Sequence, residues 1–264
     1  MIVRSLAGGL LAGAIAWAAR RLGHLSGTGA VAALAVGTAA VAAGWAWGAL
    51  LVSYFVSSSA LTRLGRAAKA ARTAETLPAS HERTARQVLA NGGVFAAGAL
   101  AGTWLGAPRL HLAAAGALAA AAADTWATEV GTLWGGTPRS LRTGRPVAPG
   151  LSGGVTPVGL AASAIAAVLL ACAVPFLQPA APLEAMTAVA LSGVAGSVAD
   201  SLLGAVLQVR PRCVRCGTRT ERAAHCDAPT RVEGGWRVMT NDTVNLLATV
   251  VGALVAGTVA PISR

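Results

Sequence analysis

The sequence predicts an all-α protein, a polytopic bundle of about eight transmembrane spans with a small Cys/His loop on the cytoplasmic side. Three observations carry this. Of 264 residues 55% are hydrophobic and only 12% charged, and the mean hydropathy is +0.61, a balance that excludes an ordinary soluble domain. Apolar stretches recur along the whole chain with basic loops between them. Of the 21 lysines and arginines, all but Arg4, Arg109 and Arg264 fall on one side once the stretches are threaded back and forth.

The spans run near residues 5–19, 28–42, 44–60, 87–106, 109–134, 154–177, 183–208 and 241–260. The second, at 15 residues, is short for a span and suits a re-entrant or strongly tilted segment. The first has the outline of a signal peptide, but Arg20 and Arg21 follow its apolar core directly. An arginine pair there holds that end in the cytoplasm rather than marking a cleavage site. The 32 glycines and abundant alanines suit helices packed closely through small residues. Residues 1–264 therefore form one integral membrane domain, with 209–240 inserted in it as a loop.

The basic residues orient the bundle. By the positive-inside rule the three long loops, 61–86, 135–153 and 209–240, are cytoplasmic and both termini are outside, in the inner membrane if the cell is bacterial. Topology and anionic lipid headgroups account for the net charge of +11, and no aromatic or groove-reading module accompanies the arginines to suggest nucleic acid.

That orientation gathers the polar residues within spans. Ala123–Gly131 closes a long alanine-rich run and holds two carboxylates, Asp124 and Glu129, about 15 and 8 Å from the cytoplasmic end of the fifth span at 1.5 Å per residue. A carboxylate in a membrane helix costs about 2.5–3.5 kcal/mol on insertion scales, so it normally faces a bundle interior or wet cavity. Asp200 lies about 12 Å from the same surface in the seventh span. Asn241, Asp242, Thr243 and Asn245 open the eighth. The plain alternatives are a buried polar network that holds helices together and, for Asn241 or Asp242, a helix N-cap. Asn245 lies a turn inside the span, on the face of Asn241, where a cap no longer needs it. Several carboxylate and amide oxygens at one end of several helices are what Mg²⁺ requires, since it completes its shell with water and phosphate.

The loops supply the opposite charge. Arg139, Arg142 and Arg145 precede a Gly-rich turn, Gly150-Leu-Ser-Gly153-Gly154, that opens the sixth span. Backbone N–H groups of such a turn can cradle phosphate with arginine as bidentate partner, although the arginines also serve as topology signals.

These segments together resemble a known family. Ala123–Gly131, Thr137-Pro-Arg139 through Gly153-Gly154-Val-Thr156 and Gly159, Asp200-Ser-Leu-Leu-Gly204-Ala-x-x-Gln208 and Asn241-Asp242-Thr-Val-Asn245 are similar to the transmembrane-protein-19 family, which includes the plant phytyl-phosphate kinases. The likeness extends upstream to Phe55–Arg63 and Arg83-x-x-x-Gln87-Val-Leu-Ala-Asn91, with Ser152 standing where the family usually has Asn and Thr240 where it often has Asp. A fainter likeness runs to the CTP-dependent dolichol and phytol kinases. The resemblance implies a kinase that moves a phosphoryl group from a nucleoside triphosphate to an isoprenyl monophosphate. CTP follows from the likeness alone. On that implication Asp124, Asp200 and Asp242 hold Mg²⁺ and Glu129 ligates or orients. Arg139 and Arg142 bind phosphates, Gly153 and Gly154 give backbone contacts, Gln87 and Asn91 reach acceptor phosphate or base, Asn241 and Asn245 bind substrate or nucleotide, and Asn245 also supports the metal group. The prenyl tail lies among lipid-facing small residues. The competing class is a transporter or lipid scramblase, which also gathers acidic residues within the bilayer.

One motif stands apart. Cys213-Val-Arg-Cys216-Gly217 precedes His225-Cys226, placing three of the four cysteines within one loop. The spacing is that of metal ligands. Cytoplasmic placement argues against disulfides, and no βαβ context supports a redox dithiol. A structural Zn²⁺ on Cys213, Cys216, His225 and Cys226 is expected, with Asp227 as an alternative fourth ligand because adjacent His and Cys must bend sharply to share one ion. Cys172 reads as a small core hydrophobe, and His24, His81 and His111 as loop or interface residues.

Overall fold

A computed structural model describes residues 2–78, 82–179 and 181–259, so His81 and Arg264 lie outside the described residues. Eight long helices occupy the eight expected stretches: α1 (Ile2–Arg21), α2 (Gly27–Ala43), α3 (Trp45–Arg63), α5 (Ala85–Leu105), α6 (Pro108–Trp134), α7 (Pro157–Ala171), α9 (Leu183–Val206) and α10 (Asn241–Val259). Two short ones join them, α4 (Arg66–Thr73) and α8 (Val174–Leu177). The sixth stretch is thus interrupted after Ala171, and Cys172 is exposed at that break rather than in the core. Pro175 supplies the cause, since a proline next to the break cannot donate into the preceding turn.

Four segments, Ala85–Leu105, Pro157–Leu177, Leu183–Val206 and Asn241–Val259, are long and apolar enough to cross a membrane by length and composition. The 27-residue α6 falls short of that measure because His111 near its start and Asp124, Thr125, Thr128 and Glu129 in its second half interrupt the apolar run. It is nevertheless the axis of the bundle. Helices α5, α7, α9 and α10 pack around it, and Ala114, Ala117 and Ala119 through Ala123 are essentially inaccessible. Backbones come very close here: a Cβ on Gly196 would sit 2.3 Å from that of Ala120, and one on Gly116 would sit 2.6 Å from the Gly252 carbonyl oxygen. Large side chains instead point outward, as with Ile165, Val168 and Leu169 on α7 and Leu191, Val198 and Leu202 on α9. Small inside and large outside suits a helix bundle surrounded by hydrocarbon. Exposed Trp45 and Trp104 near one end and Trp17 and Trp134 near the other add the aromatic belts of a membrane protein.

The loops sort to the two ends as the basic residues require. At one end short connections meet: the Thr103 hydroxyl donates to the Ala43 carbonyl, and Gln178 Nε2 donates to the Pro108 carbonyl at 2.9 Å. Arg4 and Arg109 belong to this end. At the other end the long loops are stitched together. Ser26 N donates to Arg83 O, Arg63 to Leu22 O, and the Thr76 hydroxyl to Pro149 O at 2.6 Å.

The all-α expectation fails in these loops. A two-stranded ladder pairs β1 (Arg139–Ser140) with β2 (Gly154–Val155), and β3 (Arg210–Cys213), β4 (Ala224–His225) and β5 (Ala228–Gly234) form an antiparallel sheet in the order β3-β5-β4. Short strands are the economical way to satisfy backbone groups where turns follow one another too closely for a helix.

Candidate functional site

At the long-loop end a cavity of about 680 Å³ opens between α6, α9 and α10. Asp124 from α6, Asp200 from α9 and Asp242 from α10 all line it, so three carboxylates from three helices border the same cavity. Among the described residues none of the three is ion-paired, and Oδ2 of Asp200 is buried with no hydrogen-bond partner. The wall also carries hydroxyls on the same helix faces, Thr128 and Thr132 beside Asp124 and Ser197 and Ser201 beside Asp200. Asn241 and Asn245 line it as well. Thr240, not Asn241 or Asp242, acts as the N-cap of α10, its hydroxyl accepting from Thr243 N at 3.3 Å. That leaves both residues free of the capping role the sequence allowed them.

Glu129 differs. Its Oε2 is ion-paired with Lys69 of α4, and its Oε1 accepts from the Thr62 hydroxyl at 2.7 Å. Lys69 spends its other donors on the Leu61 and Thr62 carbonyls at 2.7 and 3.0 Å. Glu129 therefore reaches the cavity already neutralised, as a brace between α3, α4 and α6. Because the two side chains are only 10% and 19% exposed, Lys69→Met should cost about 3–5 kcal/mol by stranding the carboxylate. Adding Glu129→Gln should restore most of it, and denaturant unfolding in detergent measures both.

The expected phosphate clamp is not on this wall. Arg139 and Arg142 are exposed and do not line the cavity. The β1–β2 ladder turns Arg139 outward, where Nη1 donates to the Gly144 carbonyl at 3.0 Å. No lysine or arginine lines the cavity among the described residues. Asn91 does not line it either. Gln87 does, but its Oε1 accepts from Thr84 N at 2.9 Å in a capping box, an ordinary helix-start role.

Gly153 and Gly154 do line the cavity, though not as a free cradle: Gly154 N donates to Leu151 O and Ser152 N to Glu221. Gly153 has φ +79 and abuts α9 so closely that a Cβ would meet Ala205 backbone atoms at 2.5 Å. The neighbouring Ser152 anchors a network that sequence reasoning missed. Its hydroxyl lies 2.9 Å from Glu221 Oε1 and accepts from Gln208 Nε2 at 2.6 Å, and the same Nε2 reaches Glu221 Oε2 at 3.0 Å. Glu221 comes from the 209–240 loop and forms part of the cavity roof. Gln208, ending the Asp200 motif, and Ser152, at a position where the family usually has Asn, carried a signal in the sequence; Glu221 carried none.

In the same loop Cys213, Cys216, His225 and Cys226 converge, with one ligand atom from each within 4.8 Å of the others; Asp227 is outside the group. The sharp bend expected between His225 and Cys226 is present, Cys226 and Asp227 having φ 54 and 56. Hydrogen bonds from the Thr218 hydroxyl and backbone hold the Cys216 thiol down at about 6, and Cys213 and then Glu75 push His225 up to about 9. Of the other histidines, His111 bridges helices as expected, its Nε2 3.1 Å from the Thr103 hydroxyl and its ring 5.1 Å from that of Trp47. His24 sits in the α1–α2 turn, edge-on to Phe55; burial, then Arg63 and Arg83, lower its pKa.

A helical bundle with four segments long and apolar enough to cross a membrane, small residues inside and large apolar ones outside, has the build of an integral membrane protein. The family described as "Integral membrane protein DUF92" matches residues 10–253, and the chain belongs to it. Over 233 residues it is 31% identical to Protein PGR of Arabidopsis thaliana, covering 77% of this chain and 79% of that one. It is 28% identical over 210 residues to an uncharacterized membrane protein of Methanocaldococcus jannaschii, covering 78% and 73%. No solved structure matches the chain.

Proposed function

We propose that this protein is a membrane kinase transferring a phosphoryl group from a nucleoside triphosphate, CTP by the family resemblance, to an isoprenyl monophosphate to give the diphosphate. The observation that carries the reading is the convergence of Asp124, Asp200 and Asp242, unpaired, on one cavity. Hard carboxylate oxygens without protein partners, Asp200 Oδ2 above all, fit Mg²⁺. Bound there, Mg²⁺ would supply the positive charge that lets two phosphates approach, a need made greater because no lysine or arginine lines the cavity among the described residues. The chain's own groups do the rest. Thr128, Ser197 and Ser201 offer hydroxyl donors to phosphate oxygens, Asn241 and Asn245 offer amides, and the Ser152–Gln208–Glu221 network braces the loops on the cavity's open side. In this proposal all eight long helices cross the bilayer, the long-loop end faces the cytoplasm, and the prenyl tail rests on small-residue faces open to lipid.

The test is purified protein in detergent with Mg²⁺, geranylgeranyl phosphate and γ-³²P-labelled ATP, GTP, CTP or UTP in turn. Labelled diphosphate with at least one nucleotide is expected; none with any, from folded protein, would sink the proposal.

A further inference from the structure

We infer that the loop cluster is a structural zinc site whose four ligands are Cys213 Sγ, Cys216 Sγ, Cys226 Sγ and specifically Nδ1 of His225, with Glu75 as the group that orients the imidazole. The inference is independent of the proposed kinase activity. His225 Nδ1 lies 3.3 Å from Cys216 Sγ and 3.2 Å from Cys226 Sγ, and those two sulfurs are 3.7 Å apart. A tetrahedral zinc with Zn–S near 2.3 Å gives S···S edges of about 3.8 Å and N···S edges of about 3.5 Å, so these three atoms stand near three of the corners such an ion requires, with Cys213 Sγ within 4.8 Å of them for the fourth. A disulfide does not describe them, because bonded sulfurs lie about 2.05 Å apart.

The second nitrogen assigns the tautomer. Nε2 of His225 is 2.6 Å from Glu75 Oε2, which keeps a proton on Nε2, so that the Nδ1 proton is the one a binding ion displaces and the Nδ1 lone pair then faces the sulfurs. A carboxylate holding the far nitrogen of a ligand histidine is the usual outer support of a protein metal site. The left-handed backbone at both Cys226 and Asp227, uncommon outside glycine, is what returns Cys226 Sγ to the side of His225. The loop has little apolar core of its own, and ion binding is the available source of folding energy.

Glu75 gives the site reach beyond its own loop. It adjoins Thr76, whose carbonyl accepts from Glu221 N at 2.7 Å and from the Thr220 hydroxyl at 3.1 Å. Zinc binding therefore fastens the loop to the segment after α4 and holds Glu221 in the cavity roof.

Elemental analysis of tag-free protein should find about one zinc per chain, and less than one-tenth would overturn the proposal. Exchange into Co²⁺ should give a thiolate-to-metal charge-transfer band; its absence in loaded protein would overturn thiolate ligation. Thiol titration of denatured, chelator-treated protein should count four free thiols, and two fewer would establish a disulfide instead. Cys213→Ser/Cys216→Ser should lose the metal. Should that variant not fold, Glu75→Gln, which leaves all four ligands in place, keeps the question open to measurement: its zinc affinity by chelator competition should fall about 10–100-fold. Unchanged affinity would remove Glu75 from the site.

Discussion

Asp124→Asn and Asp200→Asn each lower phosphoryl transfer at least about 100-fold while the protein still inserts, purifies and melts no lower than the parent. Both halves of this expectation come from the same geometry. Each carboxylate lines the cavity without an ion pair among the described residues, so no protein partner is stranded when its charge goes. Removing an uncompensated buried charge relieves desolvation, and stability holds or rises as activity falls. Glu129→Gln separates the two roles: with Lys69 already on that carboxylate, the change should cost stability first. Transfer assays and thermal unfolding on the same preparations check this, and an active Asp200→Asn enzyme would exclude Asp200 from the metal group.

Gly153→Ala is the second large effect. The new methyl would have to occupy a position 2.4 Å from Ala205 Cβ and 2.5 Å from its backbone, at a φ of +79 that an L side chain rarely adopts. Overpacking against a helix and the left-handed backbone together should cost about 2–4 kcal/mol. Because the turn carries Ser152, the roof network goes with it, and both thermal stability and transfer should drop. Val155→Ala, next along but without that approach, serves as the control and should change either by far less.

The bundle was legible because its punctuation is strong. Arg20-Arg21, Pro108 and Asp242 mark helix ends in one dimension, so the boundaries 109–134 and 183–208 stand close to Pro108–Trp134 and Leu183–Val206. The three aspartates could be brought together by counting turns from one shared surface. What escaped is decided by contacts between distant parts of the chain. Lys69 meets Glu129 across 60 residues, and Glu221 meets Ser152 across 69. Neither pairing leaves a periodic trace. Arg139 and Arg142 were placed on the site by their charge beside a Gly-rich turn and by the family resemblance, whereas a two-residue ladder decides which way a loop side chain points. The loop sheet escaped because its residues, with arginine, proline and glycine among them, carry no run of alternating apolar side chains.

The alanine interior of α6 leaves the bundle a one-sided mutational spectrum. In most folds damage comes from losing core volume, but a side chain of one methyl has almost nothing left to lose, and Ala119 to Ala123 are already at that floor. Every change at these sites other than to glycine adds atoms, and beside Gly196, where even one added Cβ would sit 2.3 Å from that of Ala120, added atoms push whole helices apart. Deep mutational scanning of α6 should therefore show tolerance for glycine and serine and rejection of leucine, isoleucine and phenylalanine, the reverse of the hydrophobicity ranking that governs insertion of a lone span.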